Sequence, residues 1–476
     1  MPLIASISGI RGTIGGQPGD NLSPADILKF TAAYGFFVAR KHESADATRP
    51  KIIVGRDGRL SGEMVKNLVI GSLLSQGLDV VDLGMAATPT VEMSVKQEGA
   101  QGGIIITASH NPQGWNALKL LNANGEFLSA SEGEEIIKLA QAGLVVPVTE
   151  DKLGVCVFNP FLSENHLHAI MALPLVNKEA IGHKKFKVVV DGINSVGGLV
   201  MPELLKMLGV TEVVEMNCNP NGHFAHRPEP LAENLAAVMA RVPAEKADFG
   251  LVVDPDVDRL VFIDEQGEMF GEEYTLVAVA DYVLNNFSVV ETAYSGQYER
   301  ATVSNLSSSR ALRDVASQHQ AKYVAAAVGE VNVVKAMKDI KAVVGGEGNG
   351  GVIYAPLHYG RDALAGAALF LSALSVTNKK MSEFRKQFPH YEMVKDKIEC
   401  PAGFPLAAVL DKIKKDYASE QITETDGLKI DWADSWVHLR ASNTEPIIRI
   451  YGEAPTREAA LVKTEEIKSK ILAYLK

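Results

Sequence analysis

Three stretches of the chain share one local plan: a short run of β-branched residues, a turn built from Gly, Asp and Ser, then apolar positions at helical spacing. The first is KIIVGRDGRLSG at 51–62, after which the spacing predicts a helix from Val65 to Leu74. The second is FKVVVDGINSVGG at 186–198, with a helix through Leu205. The third is RATVSNLSSSRAL at 300–312, with a helix ending before Lys322. Continuous apolar strands alternating with helices predict parallel sheets covered on both faces. Because the plan returns at about one domain length, it predicts three similar α/β domains in series.

The C-terminal part follows another pattern. DGLKIDWADSWVHLR alternates apolar and polar residues around a polar turn, and a Ser/Asn/Thr loop leads into the strand IIRIYGEA. A helix from Thr456 to Leu475 closes the chain. This predicts a separate α+β domain. The charged stretch from Thr377 to Arg385 is either the linker to it or the cap of the preceding helix.

Length and composition agree with this division. A chain of 476 residues holds three or four domains at about 100–200 residues each. With 46% hydrophobic and 22% charged residues, disorder, collagen and coiled coil are excluded. The net charge of −11 argues against a wholesale nucleic-acid binder and makes any local Arg or Lys cluster more telling. Cys156, Cys218 and Cys400 form no CxxC pair, which fits a reduced compartment without structural zinc. The start, MPLIASISGIRGTIGG, lacks a signal-peptide pattern, and the uncharged run Ala363–Thr377 is too short and too rich in Ala and Ser to span a bilayer. A soluble, cytoplasmic protein with no membrane partner is expected.

Candidate chemistry concentrates in four loops. In DFGLVVDPDVDRLVFIDE at 248–265, Asp254, Asp256 and Asp258 occupy every second position after a strand. Three such carboxylates repel one another unless a hard cation such as Mg²⁺ neutralises them. An EF-hand is excluded, since Arg259 stands where the loop needs Gly and LVFI is a strand rather than a helix. In GGIIITASHNPQGWNALKL at 102–120, a strand delivers Thr107–Pro112 into a tight turn. Ser109 there is a nucleophile or a turn former, and its neighbour His110 is too near in sequence for a triad-like arrangement. Lys119 is either an edge charge or a buried base whose pKa neighbouring cations lower.

VVGGEGNGG at 343–351 contains a formal G-x-G-x-x-G, but the strand VIYAP follows it, so dinucleotide binding is discarded. Glu347 and Asn349 then suit hydroxyl recognition, or form a plain turn. No P-loop occurs. In RASNTEPIIRI at 440–450, Arg440, Ser442, Asn443, Thr444 and Arg449 suit a phosphate dianion better than an Arg–Glu445 surface pair.

Together these loops resemble the α-D-phosphohexomutases, the family of phosphoglucomutase/phosphomannomutase and phosphoglucosamine mutase. The family's phosphoserine motif T-A-S-H-N-P matches Thr107–Pro112, and its metal loop D-x-D-x-D-R matches Asp254–Arg259. Its phosphate loop R-x-S-x-T-E-P matches Arg440–Pro446, and its N-terminal G-x-R-G matches Gly9–Gly12. The order and spacing extend over nearly the whole chain. The resemblance implies a heart-shaped arrangement of three α/β domains with mixed sheets and a smaller α+β fourth: a phosphoserine-bearing domain (1–158), a metal-binding domain (159–271), a sugar-recognition domain (272–378) and a phosphate-binding domain (385–476).

The resemblance also assigns roles. Ser109 carries the phosphoryl group and joins Asp254, Asp256 and Asp258 in holding Mg²⁺. Arg11 and Lys119 flank the transfer site, Lys119 as general acid/base, with Arg259 and His110 in support. Glu347 and Asn349 meet the sugar, while Arg440, Ser442, Asn443, Thr444 and Arg449 hold the non-reacting phosphate. The implied reaction isomerises a hexose or hexosamine 6-phosphate to its 1-phosphate through a 1,6-bisphosphate, with no nucleotide consumed. One departure stands out. The family's sugar loop reads G-E-x-S-G-H, and here Asn349 replaces the Ser and Gly351 the His. The loop, the SGIRGTIGG start and HNPQGWNALKL are most similar to phosphoglucosamine mutases, with phosphoglucomutase/phosphomannomutase as the alternative and a catalytically silent sugar-phosphate sensor or a phosphatase more remote.

Overall fold

A computed structural model describes residues 3–6, 9–42, 49–143, 146–400, 406–441 and 447–474. Its strands form four sheets of seven, four, four and five strands. All three strand–turn–helix segments fold as their periodicity predicts: Lys51–Arg56 leads to helix Gly62–Leu74, Lys187–Asp191 to Gly197–Met207, and Glu299–Asn305 to Ala311–Gln318. Their strands run in parallel at the sheet centres, paired with Asp79–Met85, Glu212–Met216 and Lys322–Ala326 respectively.

The sheets are nevertheless mixed, as the resemblance implies and as patterning alone did not. In each of the first three, one core strand runs parallel to its inner neighbour and then turns back in an antiparallel hairpin. Gly102–Ile106 pairs with Trp115–Leu121, Phe249–Val253 with Leu260–Asp264, and Ala342–Glu347 with Gly351–Tyr354. In the second and third sheets the returning strands, Leu260–Asp264 and Gly351–Tyr354, are nearly as apolar as the outgoing ones, so composition gives no sign of the reversal there. The three hairpin turns are the three chemistry-bearing loops of the first three domains, each at the carboxyl end of a core strand.

The last sheet is wholly antiparallel, in the order Glu392–Glu399, Ile447–Ala454, Trp436–Ala441, Leu428–Asp431, Gln421–Thr423. Helix Arg457–Tyr474 packs on it through Ile467 and Ile471.

The second and third sheets share one hydrophobic core. Helix Ala363–Ser375 runs between them with all 13 of its residues buried. This is the uncharged run of the sequence, and burial on every side explains an apolar composition all round. Phe370 on it stacks on Phe262 at 3.8 Å between ring centroids. No helix among the described residues is long and apolar enough to cross a membrane. The charged stretch before the fourth domain folds back rather than hanging free. It forms helix Met381–Arg385, whose Phe384 lies 6.0 Å from the Phe270 ring.

Candidate active site

The turn after Ile106 is held from behind by two residues of the first segment. Asp57 accepts the Thr107 hydroxyl at 2.7 Å, and Thr107 Oγ1 in turn accepts the Ser109 N–H at 2.9 Å. Arg59, fully buried, pairs with Asp57 and donates to the carbonyls of Ser109 (2.6 Å), Asn111 (2.7 Å), Pro112 (2.8 Å) and Trp115 (2.9 Å). One guanidinium thus satisfies most of the outward-turned carbonyls of the loop. It also keeps Ser109 in the left-handed region, at φ 46°, where a non-glycine residue persists only under such constraint.

Opposite stands the second hairpin turn. Asp254, Asp256 and Asp258 are each 0% exposed, with carboxylate oxygens within 4.8 Å of one another. Val257 adopts φ 60°, an outlier for a β-branched residue. The turn is held there because Asp254 Oδ1 accepts the N–H groups of Asp258 and Arg259, both at 3.1 Å. Ser109 Oγ donates to Asp254 Oδ2 at 2.8 Å, so the hydroxyl and the triplet share one corner.

The electrostatics of that corner are unbalanced. Burial, and then the Asp258 and Asp256 charges, push the Asp254 carboxyl well up. Burial would raise Asp256 too, but the Lys119 ammonium at 2.8 Å and the Thr88 hydroxyl at 2.7 Å hold it down. Asp256 Oδ1 and Asp258 Oδ1 are buried and accept no hydrogen bond among the described residues. Orphaned carboxylate oxygens are costly in a dry interior, and a hard divalent cation is the partner that fits them. Oxygen donors alone suit Mg²⁺.

Lys119 is only 12% exposed at its side chain, but its pKa moves opposite to the direction the buried-base reading carries. Burial lowers it, yet Asp256 and Asp258 outweigh burial and raise it. Its neighbours are anions, so it is a proton holder here. His110 lies 3.5 Å from Ser109 Oγ, and burial followed by the Arg259 and Arg361 charges keeps its ring neutral.

A cleft of about 380 Å³ brings together Arg11, His110, Arg259, Glu347, Asn349, Arg440 and Arg449, contributed by all four sheets and their turns. Glu347 is buried and held below the usual carboxylate range. Burial opposes this, while Arg361 at 3.2 Å and the Asn305 amide at 2.8 Å prevail. Asn349 Oδ1 accepts the Gly351 N–H at 3.2 Å and so shapes its own turn. A Cβ on Gly351 would stand 2.4 Å from Arg361 Cδ. Arg361 therefore fills the space a side chain at position 351 would need, and its fork reaches Asp258 at 2.7 Å, Glu330 at 2.9 Å and Glu347.

On the far wall, Arg440 and Arg449 are direct cross-strand partners. Like charges so placed repel unless an anion joins them. Burial and the Arg449 charge lower the pKa of Arg11, whose Nε is buried without a partner among the described residues. Arg440 also contacts Asp426 at 2.8 Å. Ser442, Asn443 and Thr444, with the Glu445 of the alternative pairing, lie outside the described residues.

Sequence reading missed Asp57, Arg59, Thr88 and Arg361, and in the cleft Asn305 and Lys395. GRDGRLSG carried a signal, since two arginines around an Asp in a turn exceed what a turn needs. Thr88 and Arg361 carried none, because their partners are remote in the chain.

With this geometry in view, the chain matches the phosphoglucomutase/phosphomannomutase descriptions in order: alpha/beta/alpha domain I over residues 4–144, domain II over 164–267, domain III over 272–391 and the C-terminal domain over 394–468. It belongs to this family and is a phosphohexomutase, an isomerase. It is 37% identical to a phosphoglucomutase/phosphomannomutase of Thermococcus kodakarensis, covering 94% of this chain and 95% of that one. It is 32% identical to a probable phosphoglucosamine mutase of Methanopyrus kandleri, with 95% and 94% covered. A solved phosphoglucomutase/phosphomannomutase family protein of Burkholderia thailandensis shares the fold at TM-score 0.81 and 23% identity, over 99% of this chain and 97% of that one.

Proposed function

We propose that the protein interconverts a hexosamine 6-phosphate and its 1-phosphate through a phosphoryl group carried on Ser109. The observation that carries this is the 2.8 Å contact between Ser109 Oγ and an aspartate triplet that retains two unpartnered oxygens. Asp254, Asp256, Asp258 and an oxygen of the phosphorylated Ser109 would hold Mg²⁺, which supplies charge neutralisation to the transferring group when bound.

The chain's own residues account for the rest. A sugar hydroxyl oxygen bonds to the phosphorus of phospho-Ser109 as the bond from phosphorus to Ser109 Oγ breaks. Lys119, kept protonated, donates a proton to the departing Ser109 Oγ, and the proton released by the attacking hydroxyl restores the Lys119 ammonium, so that Ser109 is left as its free hydroxyl. The resulting 1,6-bisphosphate reorients, and its other phosphate goes back to Ser109. Arg11, Arg259 and a neutral His110 line the transfer side, where fixed positive charge stabilises the transition state. Glu347, kept ionised by Arg361, orients sugar hydroxyls or the amino group with Asn349. Arg440 and Arg449, with Ser442, Asn443 and Thr444, grip whichever phosphate is not reacting.

Incubation with a hexose 1,6-bisphosphate is expected to add one phosphoryl mass to the intact protein, mapped to Ser109. Ser109→Ala should lose that mass and at least about three orders of magnitude of turnover, with little change in unfolding temperature. Retained turnover would sink the assignment. Phosphoglucomutase/phosphomannomutase activity is the second reading, favoured by the 37% identity to the Thermococcus protein. Relative kcat/KM on glucosamine, glucose and mannose 6-phosphates separates the two, and a preference for mannose would overturn the first.

A further inference from the structure

We propose that His166, His358 and Asp362 form a second divalent-cation site, of the Zn²⁺ class, behind the transfer corner where the first three domains meet. Asp362 caps helix Ala363–Ser375, its Oδ1 accepting the N–H groups of Leu364 (2.8 Å) and Ala365 (3.0 Å). That leaves Oδ2 free, and two imidazoles converge on it: His166 Nε2 at 2.9 Å and His358 Nε2 at 3.2 Å. Ligands about 2.0–2.1 Å from a tetrahedral Zn²⁺ stand about 3.3 Å apart, close to the two distances to Oδ2, and the three ligand atoms all lie within 4.8 Å of one another.

The far side of each ring is held as metal-bound imidazoles are held, by a hydroxyl or carboxylate at the other nitrogen. Thr90 Oγ1 lies 2.9 Å from His166 Nδ1, and Glu92 Oε2 lies 3.5 Å from His358 Nδ1.

Glu92 supplies the independent observation. It is 2% exposed, yet neither carboxylate oxygen accepts a hydrogen bond among the described residues. His358 stands between Glu92 and Asp362, and a neutral imidazole has one N–H for two carboxylates. If Nδ1–H points at Glu92, the Nε2 lone pair faces Asp362 Oδ2, and two acceptors meet. A cation shared by Nε2, Nε2 and Oδ2 removes that conflict and leaves the His358 Nδ1–H for Glu92. A proton is the rival occupant, since burial and the Glu330 charge push the Glu92 carboxyl well up.

Two imidazoles and one carboxylate select a borderline cation over Mg²⁺, which prefers oxygen alone. Three protein ligands leave one position open, and His358 and Glu92 line a groove of about 530 Å³. The lack of a CxxC pair does not bear on this site, whose ligands are imidazoles and a carboxylate. The ion would tie helix Thr88–Gln97, helix Leu162–Met171 and the start of helix Ala363–Ser375 together. Thr88 of the first helix holds Asp256, and Arg361 beside Asp362 holds Asp258, so the site would stiffen the frame around the aspartate triplet.

The test uses full-length protein, stripped by chelator and kept in excess Mg²⁺, titrated with Co²⁺ as a visible reporter and then with Zn²⁺. One equivalent of Co²⁺ with a tetrahedral ligand-field band, displaced by Zn²⁺, is expected in the parent protein and in Asp254→Asn. The band should vanish in His358→Gln and weaken about 10–100-fold in affinity in Glu92→Gln. Zn²⁺ should raise the unfolding temperature of the parent but not of His358→Gln. No band, a band unchanged in both His358→Gln and Glu92→Gln, or a band lost in Asp254→Asn would overturn the proposal. Should His358→Gln fail to fold, the Glu92→Gln affinity alone decides.

Discussion

The corner around Ser109 and the wall that carries Arg440 and Arg449 both face phosphate in the proposed reaction, and they are built by opposite means. Around Ser109 the charges are buried or nearly so and cross-tied: Arg59 spans four carbonyls, Lys119 and Thr88 pin Asp256, and Arg361 joins Asp258 to Glu330 and Glu347. On the far wall, two like charges face each other across strands with part of each side chain open to solvent. Bond exchange at phosphorus needs reacting atoms fixed within fractions of an ångström. A grip that must accept either phosphate of a reorienting bisphosphate needs charge with less constraint. The molecule spends its rigidity where bonds change.

The largest expected effect breaks the corner. Asp254→Asn should cut kcat by about three orders of magnitude and abolish its dependence on added Mg²⁺. Because Asp254 is strained by burial and two like charges, the chelator-treated variant should melt no lower than the parent, which calorimetry checks. A lower melting temperature would mean the triplet is not a repulsive cluster waiting for a cation.

Arg361→Ala should cost about 3–5 kcal/mol in urea unfolding, since it strands three buried carboxylates. Its kcat should also fall, because Glu347 and Asp258 lose their common brace. A loss near zero would show that the two loops are positioned independently.

A titration sharpens the contrast on the other side. His438 bridges Ser307 Oγ (2.8 Å) and the Asp426 carbonyl (2.6 Å) between the third and fourth domains, and burial holds its pKa down to about 4. The unfolded chain takes up that proton near pH 6.5, so between about pH 6.5 and 4 it binds more protons than the folded chain and stability falls with pH. Across that window the loss approaches about 3 kcal/mol. His438→Gln should flatten this part of the stability–pH curve measured by urea unfolding.

The smallest effect belongs to the grip. Arg449→Ala should raise KM about tenfold while kcat stays within a few-fold, as expected for an interaction equal in ground and transition states. It should leave the unfolding temperature unchanged or slightly higher, because Arg440 loses a like-charged partner. A drop in kcat equal to the rise in KM would place Arg449 with the transfer corner.

Much of this was legible because chemistry that must meet in space was written as contiguous loops. Ser109 and the aspartate triplet sit on hairpin turns and Glu347 is the last strand residue before a third, so a local motif located them. The three domain plans were legible because one sheet strand and its helix lie next to each other in sequence. The antiparallel return strands were not, since a buried strand looks the same in either direction. Arg59 and Arg361 escaped for a related reason. An arginine that satisfies carbonyls or carboxylates from another turn declares itself only when those turns are brought together. The direction of the Lys119 shift likewise depended on which charges came to lie beside it, and these proved to be Asp256 and Asp258.

Helix Ala363–Ser375 has a consequence for how the molecule comes apart. Its thirteen buried residues belong to one continuous apolar cluster that draws on both central sheets, while the C-terminal sheet keeps a cluster of its own. Heat or denaturant therefore meets three cooperative units of unequal size: the first domain, whose core is a cluster of its own, the central pair and the C-terminal part. The central pair melts as a single body because neither half can shed the helix without exposing the other, and the C-terminal part can fray from it while that body stays whole.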